Sequence, residues 1–126
     1  MAHVLLVDDD LILLRVLQFW LREGGYTVTT HMLGAHALAG QPHQVYDLII
    51  LDRMLPDIDG LELCRQIRQT TPILLLSAAD VATHQSAALA AGAAACLGKP
   101  VNPDTLLAQV ATLVAGGQGR RRPPEP

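Results

Sequence analysis

Apolar residues along this chain fall into two alternating patterns. Short continuous runs, Val4-Leu5-Leu6-Val7, Leu48-Ile49-Ile50-Leu51, Ile73-Leu74-Leu75-Leu76 and Ala94-Ala95-Cys96-Leu97, lack polar alternation and read as strands buried on both faces of a sheet. Between them, apolar residues recur every three or four positions, the period of a helix with one face on a core. Leu13, Leu14, Leu17 and Leu21 form the first such stripe, which runs to Glu23 and stops at Gly24-Gly25. Thr27 to His31 reads as the second strand, followed by a short helix around Ala35 to Ala39 that Gly40 and Pro42 close. Asp47 to Asp52 reads as the central strand. The loop Arg53 to Gly60 leads into a helix carrying Leu61, Leu63, Cys64 and Ile67, broken at Thr70-Thr71-Pro72. Asp80 is placed to cap a fourth helix, Val81 to Ala91, ended by Gly92. Asn102, with Pro103 at the first helical position, starts a fifth whose inner face carries Leu106, Leu107, Val110, Leu113 and Val114. Five strands alternating with five helices predict an α/β fold with a doubly wound parallel sheet.

Composition narrows the alternatives. With 126 residues, 50% of them hydrophobic, the chain fills one core, which the pattern assigns to residues 1–115. Residues 116–126, rich in Gly, Pro and Arg, offer no apolar side chain to bury and are expected to form a disordered tail or linker. A net charge of −3 gives no electrostatic case for direct nucleic-acid binding. Cys64 and Cys96 are too few and too far apart for a zinc site or a redox pair, and the five His show no ligand spacing. Asp8 interrupts the N-terminal apolar run, and no run approaches the ~18 apolar residues of a membrane span. These features predict a soluble, cytoplasmic domain without membrane contact.

The candidate chemistry lies where the apolar runs end. If the runs are parallel strands, Asp8 and Asp9, Asp52, Ser77 and Lys99 all reach one rim of the sheet, where open α/β folds keep their sites. Each has a simpler reading on its own: an Asp after a strand caps a helix, a Ser makes a turn, and a Lys is solvated. Together they are a different object. Two carboxylates ~4 Å apart repel by on the order of 4 kcal/mol at an effective dielectric of 20, so the cluster calls for a cation. Magnesium, a hard ion content with carboxylates, a backbone carbonyl, water and phosphate oxygens, suits it. Three carboxylates, one hydroxyl and one lysine read as magnesium holding a phosphoryl group. Asp57 and Asp59 read as loop and helix-start residues.

Val7-Asp8-Asp9-Asp10, Leu51-Asp52-Arg53-Met54-Leu55-Pro56-Asp57-Ile58-Asp59-Gly60, Ser77-Ala78, and Ala91-Gly92-Ala93 followed by Gly98-Lys99-Pro100 stand in a definite order and spacing. In this the chain resembles the receiver domain of two-component response regulators from residue 3 to about residue 115. The resemblance implies the flavodoxin-like strand order 2-1-3-4-5. It implies that Asp52 accepts the phosphoryl group and that Asp9, Asp52 and the Met54 carbonyl bind Mg2+ directly, with Asp8 acting through water. Lys99 then contacts the phosphoryl group, Ser77 is the switch hydroxyl, and Lys99-Pro100 is a cis peptide. The implied donor is a sensor histidine kinase or a phosphotransfer protein. The implied output is transcription through an effector domain beyond Pro126, or protein–protein signalling by a lone receiver in a phosphorelay, rather than enzymatic turnover of a substrate. A haloacid-dehalogenase-type phosphatase also uses an aspartate after a strand, but needs a second aspartate two residues on, where this chain has Met54.

The sequence departs from that family pattern in places. Cys96 stands where most receivers carry Tyr or Phe, preceded by Ala94 and Ala95 in place of acidic residues, and Asp104 to Val114 carries no basic residue. The salt-bridged dimer face of many receivers therefore cannot form. The first helix has a surplus stripe, Ile12, Val16 and Phe19, at i, i+4 and i+7. It is expected to be a partner surface, for a helical kinase or phosphotransfer bundle or for a homodimer; the alternative is that Phe19 folds against Trp20.

Overall fold

The computed structural model describes residues 2–40, 46–67, 71–78 and 81–121. Its elements are β1 (His3–Val7), α1 (Leu11–Glu23), β2 (Thr27–His31), α2 (Gly34–Gly40), β3 (Leu48–Asp52), α3 (Gly60–Ile67), β4 (Ile73–Ser77), α4 (Val81–Ala90), β5 (Ala95–Gly98) and α5 (Pro103–Arg121). The five strands form one sheet in the order β2-β1-β3-β4-β5, with every pairing parallel. This is the doubly wound flavodoxin-like arrangement expected from the alternating pattern and the resemblance.

The uninterrupted apolar runs are explained by helices on both faces. Leu5, Val7, Ile49, Leu51, Ile73 and Leu75 pack with Ala37 of α2, with Leu61, Leu63, Cys64 and Ile67 of α3, and with Ala88 of α4. The intervening residues, Val4, Leu6, Leu48, Ile50, Leu74 and Leu76, pack on the opposite face against Leu14, Leu17 and Leu21 of α1 and Leu106, Val110, Leu113 and Val114 of α5. Successive strand residues point to opposite faces, so a strand covered on both sides cannot alternate in polarity.

Helix starts follow the polar residues that precede them. Asn102 Oδ1 accepts from the backbone N–H of Asp104 (2.9 Å) and Thr105 (3.2 Å), as its position before Pro103 predicts. At α1 the cap is Asp10, whose carboxylate accepts from Ile12 and Leu13. Asp8 and Asp9 are therefore not needed as caps. Asp59 caps α3 through Leu61 (2.8 Å). Gly25 and Gly92 hold positive φ, +96° and +105°, where a side chain would be strained. The cap expected of Asp80, the closing Pro42 and the break at Thr70 lie outside the described residues.

One boundary differs from expectation. The fifth helix does not stop before Gly116 but continues to Arg121. Each residue added to a formed helix gains a backbone hydrogen bond, so propagation can outrun the buried stripe that anchors it. Residues 122–126 lie outside the described part.

Candidate metal centre

Sheet register brings the polar ends together. Val7 pairs with Leu51, Asp52 with Leu76, and Ser77 with Gly98, so Asp8, Asp52, Ser77 and Lys99 emerge at adjoining strand ends. The Lys99 backbone N–H donates to the Ser77 carbonyl (2.8 Å), continuing the ladder one residue beyond β5. From there the Lys99 ammonium reaches both carboxylates, donating to Asp8 Oδ2 at 3.1 Å and lying 3.2 Å from Asp52 Oδ1. Asp8 Oδ1 accepts from the Asp10 backbone N–H (2.9 Å), which ties the carboxylate to the start of α1. Lys99-Pro100 is cis.

Asp8 and Asp52 are buried, whereas Asp9 is exposed. One carboxylate oxygen from each of the three lies within 4.8 Å of the others. Burial, and then the Asp8 carboxylate, push the Asp52 carboxyl above the usual carboxylate range, against Lys99 and a hydrogen bond from the Met54 backbone that pull it down. Burial would lower the Lys99 ammonium, but the ion pairs with Asp8 and Asp52 outweigh it, and its pKa is raised. One ammonium, paired with two of the three clustered carboxylates, leaves the cluster short of positive charge. Three convergent hard oxygens short of charge fit a magnesium ion.

The loop after β3 is held at several points. Arg53 N–H donates to the Leu76 carbonyl (2.9 Å), Gly60 N–H donates to the Arg53 carbonyl (2.7 Å), and Met54 bridges to Asp59. Met54 keeps its side chain 70% exposed. Asp57, expected simply as a loop residue, does more: its carboxylate accepts from Gly34 (3.0 Å) and Ala35 (2.9 Å), fastening this loop to the start of α2. Those bonds hold its carboxyl below the usual range. Sequence reasoning missed this tie because the partners are backbone groups 22 and 23 residues away, which carry no side-chain signature.

The response regulator receiver domain family model matches residues 4–111. The chain belongs to that family. It is 39% identical over 125 residues to the transcriptional regulatory protein TcrA of Mycobacterium tuberculosis, covering 97% of this chain and 49% of that protein. It is 38% identical over 125 residues to the response regulator ArlR of Staphylococcus aureus, covering 98% and 55% respectively. The chain thus spans about half the length of the curated relatives it matches. Among solved structures, the receiver domain of the Francisella response regulator 1452 superposes with a TM-score of 0.86 at 30% identity, covering 91% of this chain and 98% of that one. The chemotaxis protein CheY4 of Vibrio cholerae gives 0.83 at 34%, covering 90% and 98%. No helix among the described residues of this receiver is long and apolar enough to cross a membrane.

Proposed function

We propose that this receiver accepts a phosphoryl group on Asp52 and passes the event on as a change of conformation. The observation that carries the reading is the Lys99 ammonium held at 3.1 and 3.2 Å from two buried carboxylates, beside a third carboxylate in reach of a common ion. An Asp52 oxygen bonds to phosphorus as the donor's bond to it breaks, P–N in a phosphohistidine or P–O in acetyl phosphate, leaving an acyl phosphate. Positioning and charge neutralisation lower the barrier to such a transfer. Lys99 neutralises one phosphoryl oxygen, and Ser77, buried at the end of β4, offers its hydroxyl to another. Mg2+ would be held by Asp9, Asp52 and the Met54 carbonyl, with Asp8 through water, and would supply further neutralisation.

Calorimetry tests the metal reading. Magnesium is expected to bind about tenfold more tightly with beryllofluoride than alone, roughly the worth of one added charge-assisted contact. Equal affinities, or undiminished binding in Asp9→Ala, would count against it.

The donor we assign is a histidine on a helical bundle, from a sensor kinase or a phosphotransfer protein. On α1, Ile12 is 78% exposed and Phe19 60%, with Val16 between them, while Trp20 packs inward, so Phe19 is not folded into the core. This apolar strip begins beside Asp8 and Asp9, and a helix laid along it brings its histidine to the Asp52 rim. Phe19→Arg is expected to slow transfer from a phosphorylated bundle protein at least tenfold, while labelling by acetyl phosphate is unchanged and stability stays within about 0.5 kcal/mol of wild type, the usual range for surface changes. If instead the substitution only dissolves a dimer, seen by sedimentation, the strip serves a second copy. Since TcrA is a transcriptional regulatory protein, we read the output as transcription through a domain beyond this receiver. The phosphatase reading lacks its second acid, because the exposed thioether of Met54 stands there.

A further inference from the structure

His31 and His36 stand five positions apart, a spacing that neither a helix nor a strand places on one face. The turn from β2 into α2 brings them together all the same: their ring centres lie 5.9 Å apart, with the planes at 68°. His31 closes β2 half-buried, and His36 is exposed on α2. The backbone beneath both is fixed. The His31 carbonyl accepts from the Asp8 N–H (3.1 Å), and the Asp57 carboxylate accepts from Gly34 (3.0 Å) and Ala35 (2.9 Å), the two residues directly before His36. Ala37, the residue after it, is buried in the core, and a Cβ at Gly34 would meet the side chains of Ile58 and Leu63. Neither imidazole forms a hydrogen bond or ion pair with another side chain among the described residues, so each keeps a nitrogen available.

With metal–nitrogen bonds of about 2.0–2.1 Å, two imidazoles on one ion hold their ring centres roughly 5–6 Å apart. The observed separation lies in that range, so the pair needs its rings turned and not its backbone moved. We propose that His31 and His36 form a second metal site, on the β2–α2 turn, which takes one Zn2+ through two imidazole nitrogens and completes the tetrahedron with water. Imidazole suits zinc, whereas the all-oxygen cluster of Asp8, Asp9 and Asp52 suits magnesium, so the two sites select different ions. A ligand pair carried on a rigid frame loses little freedom on binding. Neither histidine belongs to the phosphoryl site, and the inference stands whether or not Asp52 is the acceptor.

The test is a Zn2+ titration of the whole chain in excess magnesium, read histidine by histidine through proton–nitrogen NMR of the imidazole rings. At one equivalent the ring nitrogens of His31 and His36 are expected to shift together, while the ring of His3, at the opposite end of the sheet, stays unmoved. Calorimetry on His36→Gln is expected to give zinc affinity at least tenfold weaker, roughly the lower end of what losing even a residue behind the ligands costs. Because His36 is exposed, the metal-free variant should melt with wild type, which separates lost ligation from lost folding. Asp9→Ala is expected to keep both the histidine shifts and the zinc affinity. A shift confined to one of the two rings, or equal zinc affinity in His36→Gln and wild type, overturns the proposal. Loss of the histidine shifts in Asp9→Ala overturns it as well, since the ion would then sit in the carboxylate cluster.

Discussion

Asp52→Asn is expected to abolish phosphoryl incorporation from acetyl phosphate and, at the same time, to raise the melting temperature of the metal-free protein. Both follow from one geometry. The amide is no nucleophile, and Asp8, the other buried carboxylate at the rim, is tied to the Asp10 N–H and Lys99. Intact-mass spectrometry should show one added phosphoryl group in wild type and none in the variant; an undiminished addition would place the acceptor elsewhere. The stability gain follows from the raised pKa of Asp52. A carboxyl whose folded pKa lies above its unfolded value is bound more tightly by protons in the folded state, so ionising it at neutral pH destabilises the fold. Acidification through that raised pKa returns the loss, whereas the neutral Asn never incurs it. The gain in Asn over wild type should therefore shrink as pH falls, and should shrink also when magnesium is added. A variant that melts lower than wild type without metal would mean that the pair with Lys99 outweighs desolvation and Asp8 together.

Gly60→Ala is expected to destabilise the domain by about 3 kcal/mol, the upper end for overpacking. A Cβ at this position would stand 2.5 Å from Arg53 Cα, 2.6 Å from the Asp52 carbonyl oxygen and 2.9 Å from the Arg53 carbonyl oxygen. All three are backbone atoms of the segment that carries the acceptor, and that segment is held by the Leu76 ladder bond. No side chain can rotate away to relieve the contact. The loop must move, taking the Met54 carbonyl with it, so magnesium affinity should fall along with stability. Urea unfolding should show a lowered midpoint with an unchanged slope. Gly116→Ala is the contrasting case: nothing lies within 4 Å of its Cβ, and it sits in α5, so a gain of up to about 1 kcal/mol in local helix stability is expected. If both glycines tolerate alanine equally, the close approach at Gly60 is not what maintains the loop.

Much of the architecture was readable along the chain because burial on both faces leaves a one-dimensional trace. Runs such as Leu48 to Leu51 have no polar residue to mark a solvent face, and the helical stripes of α1 and α5 match the single faces those helices bury. The gathering of Asp8, Asp52, Ser77 and Lys99 was legible for a related reason: each stands at a strand end, and parallel strands put their ends on one rim. Cap residues act within three positions of themselves, so Asn102 and Asp59 were placed correctly. The end of α5 was not, since nothing in a Gly-rich, apolar-poor segment marks where helix propagation stops.

Chain order alone thus determined an alternating α/β domain, its two-sided core and the set of carboxylates, hydroxyl and lysine delivered to one edge. Tertiary structure decided which of those groups touch. It gave the α1 cap to Asp10, leaving Asp8 to share Lys99 with Asp52. It sent Asp57 across to α2 and buried one guanidinium nitrogen of Arg53 without a hydrogen-bond partner. Local pattern records which face a residue turns toward the core, because that depends on helix and strand period. Pairings between distant segments depend on register and on the reach of individual side chains, which become defined only once the strands have packed side by side.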